Sequence, residues 1–469
     1  MTPFVLRLEG PDAEALTARL MKTAARSRLP ARAWASREGR VFRCGVSEGG
    51  PFVFRSAART LHRGENRWLL PEEASDSGPE FSAGALARLA GLPVFGPDSD
   101  GAFSAGGEYA GANWPASATP PEPENEPVVA LNGETAIAAA CLWAGCGFFA
   151  VSASAPVSGA RRALKRLDPE RRVRLHEAGD AVAAAFSAAG AGYGGLRAAA
   201  EVPYERDSLA APAAAWAASS ETAMVLLVSE SVAPESYGGI VRVPASVREV
   251  FRQVAAAFDL AESYQTSVTI VIEPALRFRW ETVPEPAAPA DLHRGRWCRP
   301  GPGGPFDRYS DPEDGISPRS APGMPGLEHS AGAVEGDDEP RRKERIRKLS
   351  LKEASLKKAF GPGPLRGRTN GAVVVAAGGP AALLRDAASD GTLDCGLLAI
   401  RTLRPFSAEA VAEKLRGRRV LVAVERHDDP LLRLVRSDAG ISGAESWRVS
   451  AGDDPESVLA SLREALRDG

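Results

Sequence analysis

Between residues 128 and 273 the chain alternates short apolar runs with helix-length stretches, and this alternation restricts the possible fold more than any other feature. Residues 128–131, 148–151, 197–200, 223–228 and 267–272 read as strands. Stretches at 134–143, from Val157, at 179–189, 208–218 and 246–264 read as helices between them. Strands that regularly alternate with helices imply β-α-β units around a parallel sheet. The pattern returns near the end of the chain, with strand-like runs at 372–377, 396–400, 419–424 and 447–449 separated by helical stretches at 381–388, 408–415 and 456–467.

The expected architecture is therefore α/β and multidomain, and 469 residues are enough for several cores. A small α/β unit is expected over residues 1–96. Residues 97–127, rich in Gly, Ala, Ser, Pro and Glu, read as a linker. A parallel-sheet domain follows at 128–285, an extended connecting segment with a basic helix at 286–366, and a second parallel α/β domain at 367–469.

Hydrophobic residues make up 44% and charged residues 25%, the balance of a folded globular protein, and the net charge of −3 gives no global attraction to nucleic acid or acidic membranes. The basic run from Arg341 to Lys348 is interleaved with acids and reads as a solvated helix with Ile346, Leu349 and Leu356 turned inward. Residues 1–19 carry Glu9, Asp12 and Glu14 where a secretory signal needs an unbroken apolar stretch, and no run is long enough to span a bilayer, so a cytoplasmic location is expected. Five cysteines without C-x-x-C spacing argue against a disulfide framework, a zinc site or an Fe–S cluster on this chain, and Cys141 and Cys146 read as core thiols. The five histidines have no metal-ligand spacing.

Local motifs point to turns. The glycine run 190–195 closes a helix and precedes a strand, the reverse of a dinucleotide fingerprint, so it reads as helix termination. Gly378-Gly379-Pro380 reads as a tight turn, and residues 45–49 as a hairpin loop although they match a nucleophile elbow by letter. The acidic cluster 425–429 follows a strand at the edge where ligands bind in open α/β sheets, and reads first as a charged surface turn.

From Ala130 onward the order of motifs resembles the α chain of 2-oxoacid:ferredoxin oxidoreductases, particularly the 2-oxoglutarate type. The resemblance is carried by residues 131–136 with 144–150, by Ala257-Phe258-Asp259-Leu260-Ala261-Glu262-Ser263-Tyr264-Gln265-Thr266, by Glu313-Asp314-Gly315-Ile316-Ser317-Pro318-Arg319 with 322–326, and by Arg404-Pro405-Phe406. It covers about residues 128–469 and implies a thiamine diphosphate pyrimidine-binding domain, a C-terminal transketolase-like domain and, ahead of them, a truncated γ-like part. It also implies that thiamine diphosphate is shared with a partner. A β-type subunit would supply the diphosphate and Mg²⁺ site and an Fe–S cluster, with ferredoxin and coenzyme A reached through the complex. No nucleic-acid or membrane partner is expected.

The same resemblance directs attention to particular residues. Where the family has a Pro-Ile-Thr-Pro loop, this chain reads Ala153-Ser154-Ala155-Pro156-Val157-Ser158, so Ser154, Pro156 and Ser158 are the cofactor-binding candidates and the threonine has become Ala155. Aligned without a gap, Ala181 stands at the position of the glutamate that activates the pyrimidine. One extra helical turn would instead bring Glu177 there as the catalytic candidate. Residues 202–206 and 229–236 also depart from the family loops that bind the substrate carboxylate. The reading is thus an α-type subunit with a degenerate active site, the alternative being an inactive homologue with an interaction or regulatory role.

Overall fold

The computed structural model describes residues 2–36, 39–47, 52–55, 60–63, 66–69, 78–90, 92, 101–114, 119, 122–152, 159–202, 210–229, 234–285, 292–298, 312–322, 339–368, 371–389, 393–424, 429–449 and 455–467. They fall into two compact units. The first is built on Met1–Gly133 with Ala275–Ala287, and the second on Glu134–Pro274 with Ala288–Ala451 and Pro455–Gly469.

The first unit contains β1 (Thr2–Glu9), α1 (Ala13–Arg26), β2 (Arg32–Ser36), β3 (Gly39–Ser47), β4 (Phe52–Arg55), β5 (Thr60–Arg63), β6 (Asn66–Leu69), α2 (Gly78–Leu89), α3 (Gly101–Asn113) and β7 (Val128–Asn132). Its eight-stranded sheet runs β6-β5-β4-β1-β3-β2, then the strand Trp280–Pro284, then β7. Leu6 and Leu8 alternate onto the buried face of β1, where they join Phe42, Phe52 and Phe54 against Leu16, Leu20 and Met21 of α1.

Three expectations change here. The strands 128–132 and 280–284, assigned from sequence to the main parallel domain, pair antiparallel with each other and complete the first unit's sheet. Residues 45–49 do not join a hairpin, because β3 and β4 both pair with β1, one antiparallel and one parallel; residues 48–51 lie outside the described set. And the expected linker 97–127 contains α3, packed on α2. Its Gly and Ala content serves close approach. A Cβ on Gly84 would sit 1.8 Å from the Phe103 carbonyl oxygen, and one on Gly106 would sit 2.0 Å from that of Phe81.

The second unit continues with α4 (Gly133–Trp143), β8 (Phe148–Ser152), α5 (Gly159–Leu167), β9 (Arg174–Ala178), α6 (Ala181–Tyr193), β10 (Ala198–Val202), α7 (Ala211–Ser219), β11 (Met224–Val228), β12 (Ile240–Arg242), α8 (Val247–Tyr264) and β13 (Ser267–Val271); the chain then returns to the first unit with α9 (Pro274–Arg277) and the strand Trp280–Pro284, which is β14. Then come α10 (Glu339–Ala359), β15 (Leu365–Gly367), β16 (Val373–Ala376), α11 (Gly378–Ser389), β17 (Gly396–Ala399), β18 (Thr402–Arg404), α12 (Ala408–Leu415), β19 (Val420–Val424), α13 (Pro430–Arg433), β20 (Glu445–Arg448) and α14 (Pro455–Arg467). Two sheets result, β18-β12-β13-β11-β10-β8-β9 and β15-β17-β16-β19-β20. The first is parallel except at β18, and the second except at β15.

The helices start and stop where their end chemistry dictates. Asp180 caps α6 by accepting from the Ala183 amide at 2.7 Å, and Gly194 closes the same helix, as the glycine run implied. Ser246 and Glu249 form a capping box on α8: the serine hydroxyl accepts from the Glu249 amide at 3.0 Å, and the Glu249 carboxylate reaches back to the Ala245 amide. Val250, Val254, Phe258 and Ala261 then recur at helical spacing on its buried face.

Helix α10 turns differently from the sequence expectation. Leu356 is buried, but Ile346 is 58% exposed, and the inward face is taken by Lys348 and Lys352, both ion-paired to Glu221. Lysines four apart lie on one face, and one buried carboxylate draws both inward.

Candidate active site

In the seven-stranded sheet β8 is followed by α5 and the outer strand β9. The chain then crosses back through α6 to β10 on the other side of β8. That reversal is a topological switch point, the place outside the carboxyl strand ends where open α/β sheets bind ligands. The register places Ala178 beside Ser152 and Val202 beside Val228 beside Val271 along this edge. Ser152 is buried at the end of β8. One residue past β11, the Ser229 hydroxyl is fully buried and has no hydrogen-bond partner among the described residues. Next to β13, the Glu273 carboxylate accepts from the Gly379 amide at the start of α11, which accounts for the tight turn at Gly378 with its φ of +57°.

The sequence candidates distribute unevenly over this edge. Ser154, Pro156 and Ser158 fall in sequence between β8 and α5 and lie outside the described residues, as do 203–209 and 230–233. Glu177 is on β9, not on the helix that follows. Its carboxylate is 48% exposed and pairs with Arg161 at 2.5 Å, with Lys165 at 3.9 Å. Ala181 opens α6 with its side chain buried. The strand position of Glu177 follows from Asp180, whose capping geometry fixes the helix start one residue later and leaves no room for an extra turn.

Two charged residues within strands, one buried and one half-buried, went unnoticed in the sequence reading. Glu201 is fully buried on β10, and a carboxylate inside the run Ala-Ala-Ala-Glu-Val was the available signal. Arg242 ends β12 between the apolar Val241 and Val243, an equally visible anomaly.

The segments that carried the resemblance meet at the opposite, amino-terminal edge. Arg197, 1% exposed, donates to Glu262 at 2.9 Å and to Asp259 at 2.6 Å, and Arg294 and Arg319 converge on the same Glu262 at 2.9 and 3.0 Å. Arg319 also stacks over the Trp297 ring at 4.3 Å. Gln265 donates through its side-chain amide to the Ser317 carbonyl. Gly315, at φ +71°, brings the backbone against α10 so closely that a Cβ would lie 2.6 Å from the Lys348 carbonyl oxygen. These motifs build a scaffold rather than a reactive center.

Three of the five thiols are held protonated. The Cys141 thiol is pushed well up, first by the hydrogen bond it shares with Cys146, then by burial and the charge of Glu201; burial pushes Cys44 up to about 12 and Cys395 to about 11. Among the described residues no group of three or more His, Cys, Asp or Glu side chains could hold a metal ion. His176 stacks on Phe148, and His293 shares a hydrogen bond with Ser263 at 2.9 Å. No helix among the described residues is long and apolar enough to cross a membrane.

No model of a known protein family matches the chain. The 2-oxoacid:ferredoxin oxidoreductase 1 subunit alpha of Sulfurisphaera tokodaii and the 2-oxoacid:ferredoxin oxidoreductase subunit alpha of a Sulfolobus species are each 30% identical to it over 194 residues, 38% of this chain and 30% of theirs. The chain is related to these alpha subunits. It spans less than a third of their length. Among solved structures, the 2-oxoglutarate:ferredoxin oxidoreductase of Magnetococcus marinus, described with 2-oxoglutarate, coenzyme A and succinyl-CoA bound, superimposes with a TM-score of 0.79 over 99% of this chain and 100% of that one, at 18% identity. The fold of a 2-oxoacid:ferredoxin oxidoreductase chain thus extends over nearly all of the sequence, including the N-terminal unit.

Proposed function

We propose that the chain is the alpha-type subunit of a cytoplasmic 2-oxoacid:ferredoxin oxidoreductase. That complex converts a 2-oxo acid to its acyl-CoA and CO₂ and passes the electrons to ferredoxin. The supporting observation is the sequence relation to two alpha subunits together with a shared fold over almost the whole length. In this reading residues 134–274 carry the pyrimidine-binding-like region, residues 367–469 the transketolase-like domain, and the first unit, residues 1–133 with 275–287, a γ-like part. A β-type partner supplies the diphosphate and Mg²⁺ ligands and the Fe–S cluster, because the sequence contains neither a Gly-Asp-Gly motif nor cluster cysteines.

Thiamine diphosphate, when bound in such a complex, supplies the carbanion that attacks the 2-oxo carbon. Its aminopyrimidine needs an anionic partner on the alpha chain, and the described residues do not provide one in the expected place: Ala181 opens α6, and Glu177 is turned to Arg161 on an outer strand. No catalytic step is therefore assigned to Glu177. The switch-point loop with Ser154, Pro156 and Ser158 is the contact we assign to the cofactor.

That missing carboxylate favours a second reading, an inactive homologue that retains the partner surface and serves as an interaction or regulatory subunit. Purification of the chain with its native partners, followed by an assay of 2-oxoacid- and CoA-dependent reduction of ferredoxin, separates the two. Reduction supports the oxidoreductase subunit. A stable complex that reduces nothing with a panel of 2-oxo acids supports the second reading.

A further inference from the structure

Arg242 lies at the carboxyl end of β12, which pairs with β18, the edge strand of the seven-stranded sheet. Its Nε is buried, and its guanidinium makes no hydrogen bond or ion pair among the described residues; its one aromatic contact is the Phe360 ring, 5.5 Å from the guanidinium carbon. Burial draws its pKa down, Arg401 adds to that, and Glu249 opposes both. The side chain as a whole is half-buried, but a guanidinium nitrogen shut off from water is ordinarily hydrogen-bonded, because an unpaired buried donor is costly.

The carboxylate whose charge reaches it, that of Glu249, is already engaged. Glu249 accepts from the Ala245 amide at 3.0 Å through Oε2, while Oε1 takes Arg401 through Nε at 2.8 Å and Nη2 at 2.6 Å, with Arg385 at 4.0 Å. Arg401 is held close to Arg242 because its carbonyl accepts from the Val243 amide at 3.0 Å, and Arg242 is paired across the ladder with Thr402. Three guanidinium groups thus surround one carboxylate whose oxygens serve Arg401, Arg385 and the backbone, and the positive charge at Arg242 is left over. Gly363 packs against the Arg401 guanidinium on the same side, with Nη1 3.1 Å from where its Cβ would be.

We propose that Arg242, with Arg401 beside it, binds a phosphate group at the junction of β12, β18 and the segment that follows α10. A guanidinium fork matches two oxygens of a tetrahedral anion, and a doubly charged phosphate suits an excess of positive charge better than a carboxylate does. The site is three strands from β10 along the same sheet edge, roughly 14 Å at the usual strand spacing, so it is separate from the switch point. It does not depend on the oxidoreductase reading. The phosphate is either free or part of a nucleotide.

The full chain should be titrated by calorimetry with inorganic phosphate, ADP, adenosine and acetate at constant ionic strength. The expected result is saturable binding of phosphate or ADP near one per chain, weakened at least tenfold in Arg242→Gln and less in Arg242→Lys, with Arg172→Gln unchanged. Tighter binding of ADP than of phosphate, without binding of adenosine, places the phosphate on a nucleotide; equal binding means free phosphate. Should Arg242→Gln fail to fold, Arg242→Lys decides, because it keeps the charge and loses the fork. Absence of saturable binding by phosphate and ADP, affinity for acetate equal to that for phosphate, or undiminished binding in a folded Arg242 variant would overturn the proposal.

Discussion

Glu221 shows how much a single buried carboxylate can organise. It sits just after α7 with a left-handed φ of 56°, and Lys348 at 2.6 Å and Lys352 both close on it from α10. Burial pushes its pKa up, but the two ammonium groups prevail and hold the carboxyl below the ordinary glutamate range. A carboxyl depressed on folding contributes stability that is complete above its unfolded value, about 4.3, and is lost as pH falls through the lower folded value. Glu221→Gln should therefore cost about 3–5 kcal/mol at neutral pH by leaving two ammonium groups buried without a counter-charge, and should flatten the acid limb of the stability curve. Urea unfolding at a series of pH values measures both; an unchanged acid limb would mean that the triad is not the coupling group. Glu177 is the contrasting case. Its half-exposed pair with Arg161 predicts a change of about 0–1 kcal/mol for Glu177→Gln, and 2-oxoacid-dependent activity of the partnered complex should remain at the wild-type level. A large fall in activity with folding intact would return Glu177 to the mechanism.

At the scale of elements, the alternation announced the parallel strands well, since β8, β10, β11 and β13 are mostly apolar runs of five residues buried from end to end or nearly so. What it could not show is which sheet a strand joins. Residues 128–132 look like the other apolar runs, yet they pair with residues 280–284 across a separation of about 150 residues in sequence, and no local pattern encodes such a partner. The glycine-rich stretch was misread for a related reason, because small residues suit a mobile linker and also the contact between two helices at close range. In α2 and α3 the second use holds, and it gives opposite expectations for two glycines of one helix. Gly106→Ala places a methyl group 2.0 Å from the Phe81 carbonyl oxygen and should destabilise by about 1–3 kcal/mol, whereas Gly111→Ala meets its nearest atom, Arg88 Nε, at an ordinary 3.4 Å and should stabilise by up to about 1 kcal/mol. Thermal unfolding of both variants decides; equal effects would mean that the helices are not in close contact.

For the whole molecule, the resemblance rested on residues that turned out to hold the scaffold: Glu262 with its three arginines, and Gly315 against α10. Such networks survive because removing one member strands the charges of the others, whereas the loops at the switch point are freer to change. The fold was therefore more legible than the site. A division of labour follows if the activity belongs to the assembly. The isolated chain, having no Gly-Asp-Gly motif, no cluster cysteines and three of its five thiols held protonated, should bind neither thiamine diphosphate with Mg²⁺ nor iron stoichiometrically, while the complex isolated with its native partners should contain both. Calorimetry on the isolated chain and cofactor analysis of the co-purified complex test the two halves separately. Tight stoichiometric binding by the chain alone would refute the assignment of the diphosphate site to a partner, and a native complex devoid of thiamine diphosphate would support the inactive-homologue reading over the oxidoreductase subunit.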